Sequence, residues 1–204
     1  MSLRRRFFAL TYDHSIARVE KAGLHDHRQR LLAGASGKVL EIGAGTGLNI
    51  ALYGPSVELT LTEPDPSMLK RLQRKVREQA PAVKVLRAPA EDLPFEDGTF
   101  DTVVSTLVLC GVDDQPRALR EVRRLLKPGG TFLFIEHVRS DEPDLARFQD
   151  RLNWLNRFVV CCDCNRPTLD TIRATGFEVS TLEHSELPKA PKFARPLIVG
   201  TATV

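Results

Sequence analysis

Apolar residues along this chain recur with two periods, and the two alternate. Lys38–Ile42, Val57–Thr62, Val83–Leu86 and Phe100–Val104 are short apolar or β-branched runs that read as strands between turn residues. Thr131–Ile135 is an uninterrupted apolar run, the pattern of a strand covered on both faces. Phe177–Leu182 and Leu197–Ala202 complete the set. Helical spacing fills the intervals. It covers roughly residues 13–32, Thr46–Tyr53, and a segment opened by Pro66 with Met68, Leu69, Leu72 and Val76 on one side. Gln115–Leu126 follows, stopped by Pro128-Gly129-Gly130, and then Leu145–Val160 and Pro167–Thr175. Strand and helix in strict succession predict a doubly wound α/β sheet, mostly parallel, with helices on both faces. Only a loop separates the last two strands, so they are expected to pair as an antiparallel hairpin. With no repeat or linker, the 204 residues read as one domain.

The chemistry starts at Val39-Leu40-Glu41-Ile42-Gly43-Ala44-Gly45-Thr46-Gly47, where a strand runs into three alternating glycines. Such a turn lets the backbone approach a ligand closely. Glu63, at the end of the next strand, is placed to hold a ribose diol. The expectation is a Rossmann-like nucleoside pocket. A dinucleotide is disfavoured, because G-x-G-x-x-G would need glycine where Leu48 stands. Glu41 would also repel a pyrophosphate while attracting an ammonium or sulfonium. No Gly-Lys-Ser/Thr occurs, which disfavours a P-loop.

Composition changes this picture little. The net charge of +3 does not call for a nucleic-acid partner, and no basic stripe runs through the body of the chain. Arg4-Arg5-Arg6 with Phe7-Phe8 leaves two readings open, a solvated terminus or a weak peripheral membrane contact. No apolar run approaches the ~20 residues of a membrane span, and the start lacks a signal-peptide h-region, so a cytoplasmic protein is expected. Cys161, Cys162 and Cys164 are crowded together and Cys110 is distant, a poor disulfide framework. Neither these cysteines nor His25 and His27 have the spacing of a metal site, and no metal is expected.

Downstream of the glycine turn and Glu63 come Ala90-Glu91-Asp92-Leu93-Pro94-Phe95-Glu96-Asp97-Gly98-Thr99-Phe100-Asp101 and Leu126-Lys127-Pro128-Gly129-Gly130. In this order the motifs resemble those of class I S-adenosylmethionine-dependent methyltransferases, the UbiE-like group in particular, from about Val39 to His137. Thr106-Leu107-Val108-Leu109-Cys110, Glu136-His137-Val138, the stretch from Cys162 to Arg166 and Ala174-Thr175-Gly176-Phe177 resemble the animal methyltransferase-like thiol methyltransferases. Those proteins carry an N-terminal hydrophobic anchor that this chain is not expected to share. The resemblance implies S-adenosylmethionine as methyl donor. Gly43, Ala44, Gly45 and Gly47 would lie at its methionine end, Glu41 near its amino group and Glu63 on its ribose. Pro64 and Met68 would flank the adenine, and Thr106 and Leu107 would sit near the sulfonium. An Asp or Asn usually precedes Glu91 by two residues in this family, and Pro89 stands there instead, which leaves the backbone of Ala90, or Glu91 itself, to meet the adenine. Tyr12 is a candidate lid. The implied arrangement is an N-terminal helical cap over residues 1–36, a cofactor-binding core over 37–137, and substrate-side helices and closing strands over 138–204.

Methyl transfer from a sulfonium is an in-line displacement, in which orientation alone supplies up to ~7–11 kcal/mol. A base matters only for a weakly acidic nucleophile. A thiol near its ordinary pKa of about 8.5 is already partly ionised at neutral pH. Glu136 and His137, after the fifth parallel strand, are the candidate bases, with one expected to face the pocket. Cys110, Arg166 and Trp154 are candidate substrate neighbours. Trp154, Leu155, Phe158 and Val159 form an apolar helical stripe, expected to be core or to roof an apolar substrate. The favoured acceptor is a small, apolar thiol. C-methylation of a quinone-type ring, O-methylation of a small molecule, and a non-catalytic cofactor-binding module remain as alternatives. A nucleic-acid substrate is disfavoured, since no Asn/Asp-Pro-Pro-aromatic motif is present.

Overall fold

The computed structural model describes residues 12–204. The basic-aromatic cluster at Arg4–Phe8 and the start of the expected cap lie outside the described residues. A helical stretch over 12–19 kinks at Gly23 (φ 136°), within Glu20–Leu24, and continues as α1 (His25–Leu32). There follow β1 (Lys38–Ile42), β2 (Glu58–Thr62), α2 (Pro66–Gln79), β3 (Lys84–Leu86), β4 (Phe100–Thr106), α3 (Gln115–Leu125) and β5 (Leu126–His137). The chain closes with α4 (Pro143–Val160), α5 (Thr168–Ala174), β6 (Glu178–Glu186) and β7 (Pro196–Thr203).

The seven strands lie in the order β3-β2-β1-β4-β5-β7-β6. The first five are parallel, and β7 runs antiparallel to both β5 and β6. This is the mostly parallel, doubly wound sheet with a closing hairpin that the pattern predicts. Strand residues alternate between two cores, as the period of 2 requires. Leu40, Ile42, Val103, Phe132 and Phe134 pack with Leu119, Val122, Leu125 and Ile172 of α3 and α5. Val39, Val104, Leu133 and Ile135 pack on the opposite face with Leu31, Leu32, Leu72 and Val76 of α1 and α2. Each such large side chain contributes about 1.5–3 kcal/mol on burial. The strand order reverses between β1 and β4, so the crevice of an open α/β sheet opens beyond the carboxyl ends of these two strands.

Three local expectations change. Thr46–Tyr53 is not a helix beyond one 3₁₀ turn, Ile50–Leu52. Gly47, at φ +80°, has the left-handed backbone that a right-handed helix cannot contain. The Lys127–Gly130 turn is drawn into β5, whose pairing with β4 is irregular between Phe100 and Thr102. The stripe on α4 is not core: Trp154 is 68 % exposed and Phe158 61 %. α4 instead buries Gln149, whose amide donates to the carbonyls of Val138, Cys164 and Phe193. The two hydrogens of that amide are shared among the three carbonyls, and the hydrogen bonds decide which face turns inward. Among the described residues no helix is long and apolar enough to cross a membrane.

Candidate active site

The turn after β1 and the end of β2 are joined by Glu63. One carboxylate oxygen accepts the Gly45 N–H at 2.8 Å and the other accepts the Asp65 N–H at 2.8 Å. Burial pushes this carboxyl above its ordinary pKa, against the pull of those two N–H groups. Gly45 has φ +58°, and a Cβ placed on it would meet nothing within 4 Å, so its backbone faces open space. Gly43 lines the same cavity but is constrained by packing, since a Cβ there would lie 2.6 Å from Val108. Gly47 does not line the cavity, contrary to expectation. Its α-carbon is covered by Ile50 and Leu72, so it serves the packing of the turn.

The cavity wall is built from Tyr12, Arg28, Glu41, Ala44, Thr46, Leu48, Asn49, Thr106 and Leu107 as well. Arg28, like Thr46, Leu48 and Asn49, is a wall residue that no motif singles out. It is 3 % exposed and donates to Glu20 (3.0 Å), Asn49 Oδ1 (3.0 Å) and Thr106 Oγ1 (2.8 Å). Its signal was present: Leu24, Arg28, Leu31 and Leu32 share one helical face, which placed a guanidinium among buried leucines. Facing it is Glu41, 2 % exposed, which accepts from Asn49 Nδ2 (3.0 Å) and the Tyr53 hydroxyl (2.7 Å). Burial raises Glu41 to about 7, although both hydrogen bonds and Arg28 favour its charged form. The Tyr12 phenol is pushed up to about 12, chiefly by burial. Leu107 holds a left-handed backbone at φ 60°, pinned by its N–H to the Ile135 carbonyl at 2.7 Å. Such strain, on the order of 1–3 kcal/mol, persists only where the surroundings impose it.

Glu41 makes stability depend on pH. Its folded pKa lies above the unfolded value, so between about pH 4.5 and about 7 the unfolded chain gives up a proton that the folded chain keeps. Stability should therefore fall with rising pH across that window, by on the order of 3 kcal/mol from this group. Urea midpoints measured from about pH 5 to about 7.5 should decline in the parent and much less in Glu41→Gln. Equal slopes in the two proteins would count against a neutral buried Glu41.

Most of the remaining candidates are committed to structure. Glu136 is buried and accepts from Ser105 Oγ (2.6 Å), Val108 N (3.0 Å) and Leu109 N (3.0 Å). It clamps the loop after β4. Arg166 is bound to Asp163 (2.7 Å) and the Leu109 carbonyl (3.1 Å), and so stiffens the same loop. Glu91 accepts the N–H groups of Asp113 (2.8 Å) and Asp114 (3.3 Å) ahead of α3. Ala90 is a member of the core beneath that loop. The carbonyl of Pro64 accepts from Arg87 (3.2 Å), and Met68 is buried in the first turn of α2, so both stand just beyond Glu63. Trp154 is not among the residues that line the cavity. His137 is buried, with Nδ1 3.1 Å from Cys162 Sγ, and Cys110 completes a group whose ligand atoms all lie within 4.8 Å of one another. The neighbouring Cys162 and burial hold the Cys110 thiol well above its ordinary value. A larger cleft of about 590 Å³, lined by Pro116, Arg120, Arg123 and Thr171 between α3 and α5, contains none of these residues.

Sheet order, glycine turn and the acid closing β2 are together those of a methyltransferase that takes its methyl group from S-adenosylmethionine. Residues 40–134 match the family described as methyltransferase domain. Two human thiol S-methyltransferases are similar along most of the chain. TMT1A is 34 % identical over 96 % of this chain and 82 % of its own length. TMT1B is 45 % identical over 84 % and 73 %. Phosphatidylethanolamine N-methyltransferase of Cereibacter sphaeroides is 32 % identical over 80 % and 85 %. Among solved structures, a SAM-dependent methyltransferase from Thermotoga maritima shares the fold, with a TM-score of 0.72 at 23 % identity over 100 % of this chain and 99 % of that one. The chain belongs to this methyltransferase family.

Proposed function

We propose that the cavity beyond β1 and β4 holds the methionine end of S-adenosylmethionine, and that the methyl acceptor is the sulfur of a small, apolar thiol. Bound there, the donor supplies an electrophilic methyl group on a sulfonium. The residues fit it. A methionine end carries one ammonium and one carboxylate, and the wall offers one buried carboxyl, Glu41, and one buried guanidinium, Arg28. Glu63, already oriented by two N–H groups, keeps unshared lone pairs for the two ribose hydroxyls. Thr106 and the strained Leu107 position the reacting end, and Tyr12 covers it from the N-terminal side.

The acceptor reading is carried by one observation: the two thiol S-methyltransferases align along most of this chain, one of them at 45 % identity. A physical argument agrees with it. Glu136 is spent on three hydrogen bonds, and a thiol needs less help to ionise than a phenol or a carbon acid. The similarity to a phosphatidylethanolamine methyltransferase supports a second reading, an amine acceptor. Labelled-methyl transfer to alkyl and aryl thiols, quinols, phenols and phosphatidylethanolamine vesicles separates them. The expected outcome is label on thiols, in a thioether. Label found only on the amine, or only on a quinol, would overturn the thiol assignment.

A further inference from the structure

Cys110, His137 and Cys162 come from three separate places, the loop after β4, the end of β5 and the segment after α4, yet meet in the interior. All three are buried, and no disulfide joins the cysteines. Imidazole Nδ1 lies 3.1 Å from Cys162 Sγ. The other ring nitrogen, Nε2, is buried with no hydrogen-bond partner, and among the described residues it is the one buried side-chain nitrogen or oxygen in that condition. A buried ring nitrogen without a partner calls for an explanation, while the ring nitrogen that faces sulfur is Nδ1.

The backbone around each of the three is tied down. The Asp163 N–H donates to the Cys110 carbonyl at 2.8 Å, and Asn156 donates to the Cys162 carbonyl at 2.7 Å. Thr168 donates to the His137 carbonyl at 3.2 Å, while Gln115 bridges Thr168 and the Leu109 carbonyl. Glu136 holds the Val108 and Leu109 N–H groups. The three side chains are thus presented by a fixed frame, as supporting hydrogen bonds orient metal ligands. Leu107, in the wall of the methyl-donor cavity, precedes Cys110 by three residues. Even a fully extended chain would separate their Cα atoms by only about 11 Å, and the Gly111-to-Val108 hydrogen bond of 2.7 Å folds this stretch into a turn.

We propose that Cys110, His137 and Cys162 form a zinc site with an open fourth position, and that this position receives the acceptor's sulfur; the second part rests on the thiol reading above. Two thiolates and an imidazole are soft and borderline ligands that suit Zn²⁺ and exclude Mg²⁺ and Ca²⁺, which take oxygen. Zinc bonds of about 2.3 Å to sulfur and about 2.0 Å to nitrogen place tetrahedral ligands roughly 3.5–3.8 Å apart, so the 3.1 Å pair of His137 and Cys162 has to open by a few tenths of an ångström, within a group whose atoms all lie within 4.8 Å. With both thiols ionised, zinc and its three ligands carry no net charge, which suits a buried position. Three protein ligands and one vacancy is the pattern of a catalytic rather than a structural zinc. In the reaction the acceptor thiol loses its proton to solvent as its sulfur binds the metal. A lone pair on that sulfur forms the new bond to the methyl carbon. The bond from methyl to sulfonium breaks, and its electron pair stays on the donor's sulfur. The product is a neutral thioether, a weaker ligand, which leaves the metal.

The full-length protein, loaded with zinc under reductant and dialysed, should retain about one zinc per chain by elemental analysis. Cys110→Ser, Cys162→Ser and His137→Gln should each reduce that occupancy at least about tenfold, while Cys161→Ser leaves it unchanged. Calorimetry with S-adenosylmethionine verifies that each variant is folded. Cobalt substitution should produce a thiolate-to-metal absorption band that shifts when a small alkyl thiol is added. Failure to retain zinc, zinc retained in the Cys110/Cys162 double variant, or a Cys110–Cys162 disulfide in the reduced protein would overturn the site. Undiminished thiol methylation by zinc-free protein would overturn the role of the metal and leave the thiol reading intact. A cobalt band that no thiol shifts, with label passing only to amines, would overturn the thiol reading and leave the metal site.

Discussion

Replacing Glu63 by alanine should weaken S-adenosylmethionine binding by about a hundredfold to ten-thousandfold. The proposed ribose contact consists of two hydroxyls donating to one carboxylate, and hydrogen bonds to charged groups are worth about 1.5–3 kcal/mol each. Two of them give ~3–6 kcal/mol, and every 1.4 kcal/mol is about tenfold in affinity. A second loss adds to the first. Glu63 also accepts the Gly45 and Asp65 N–H groups, so alanine releases the glycine turn from the end of β2. Glu63→Gln keeps one carbonyl oxygen for the turn and should lie between the two. Calorimetry near neutral pH decides the matter. An affinity unchanged in Glu63→Ala would remove the ribose assignment, whatever happened to turnover.

Arg28→Ala should be the most damaging single change to the cavity itself. The guanidinium reaches Glu20, Asn49 and Thr106 from a position with almost no exposure. Removing one partner of a buried charge pair costs about 3–5 kcal/mol, because the other charge is left without compensation. At roughly 2–4 °C per kcal/mol for a chain of this size, the midpoint of thermal unfolding should fall by about 6–20 °C. Binding of S-adenosylmethionine, measured at a temperature where the variant is folded, should fall as well, since the proposed carboxylate contact loses a buried cation of the wall. Arg28→Lys should rescue poorly, as an ammonium cannot reproduce three directed bonds from a planar fork. A variant within about 1 kcal/mol of the parent, with unaltered affinity, would show that Arg28 serves neither packing nor ligand.

Glu136 and Arg166 illustrate where a reading from sequence stops. Both stand where a base or a substrate anchor would be useful, at the carboxyl edge beside the loop after β4. In the folded chain both are consumed in holding that loop, Glu136 through Ser105, Val108 and Leu109, and Arg166 through Asp163 and the Leu109 carbonyl. Motif position places both near that edge. It could not count hydrogen bonds, because the partners lie far along the chain.

What the sequence determined by itself is whatever short-range physics encodes. Alternating periods specify seven strands and, apart from Thr46–Tyr53, the helices between them; left-handed glycines specify the turn at the switch point, and an acid closing β2 ties that turn down. Each of these is written within a few residues of where it acts. Tertiary structure alone decided which side chains keep free valences. It turned the amide of Gln149 inward and Trp154 outward, brought Arg28 against Glu41, and assembled Cys110, His137 and Cys162 around one point. The cause is the same in every case: burial removes water as a partner, so each buried polar atom must find another one across the fold, at a distance in sequence that no local pattern records.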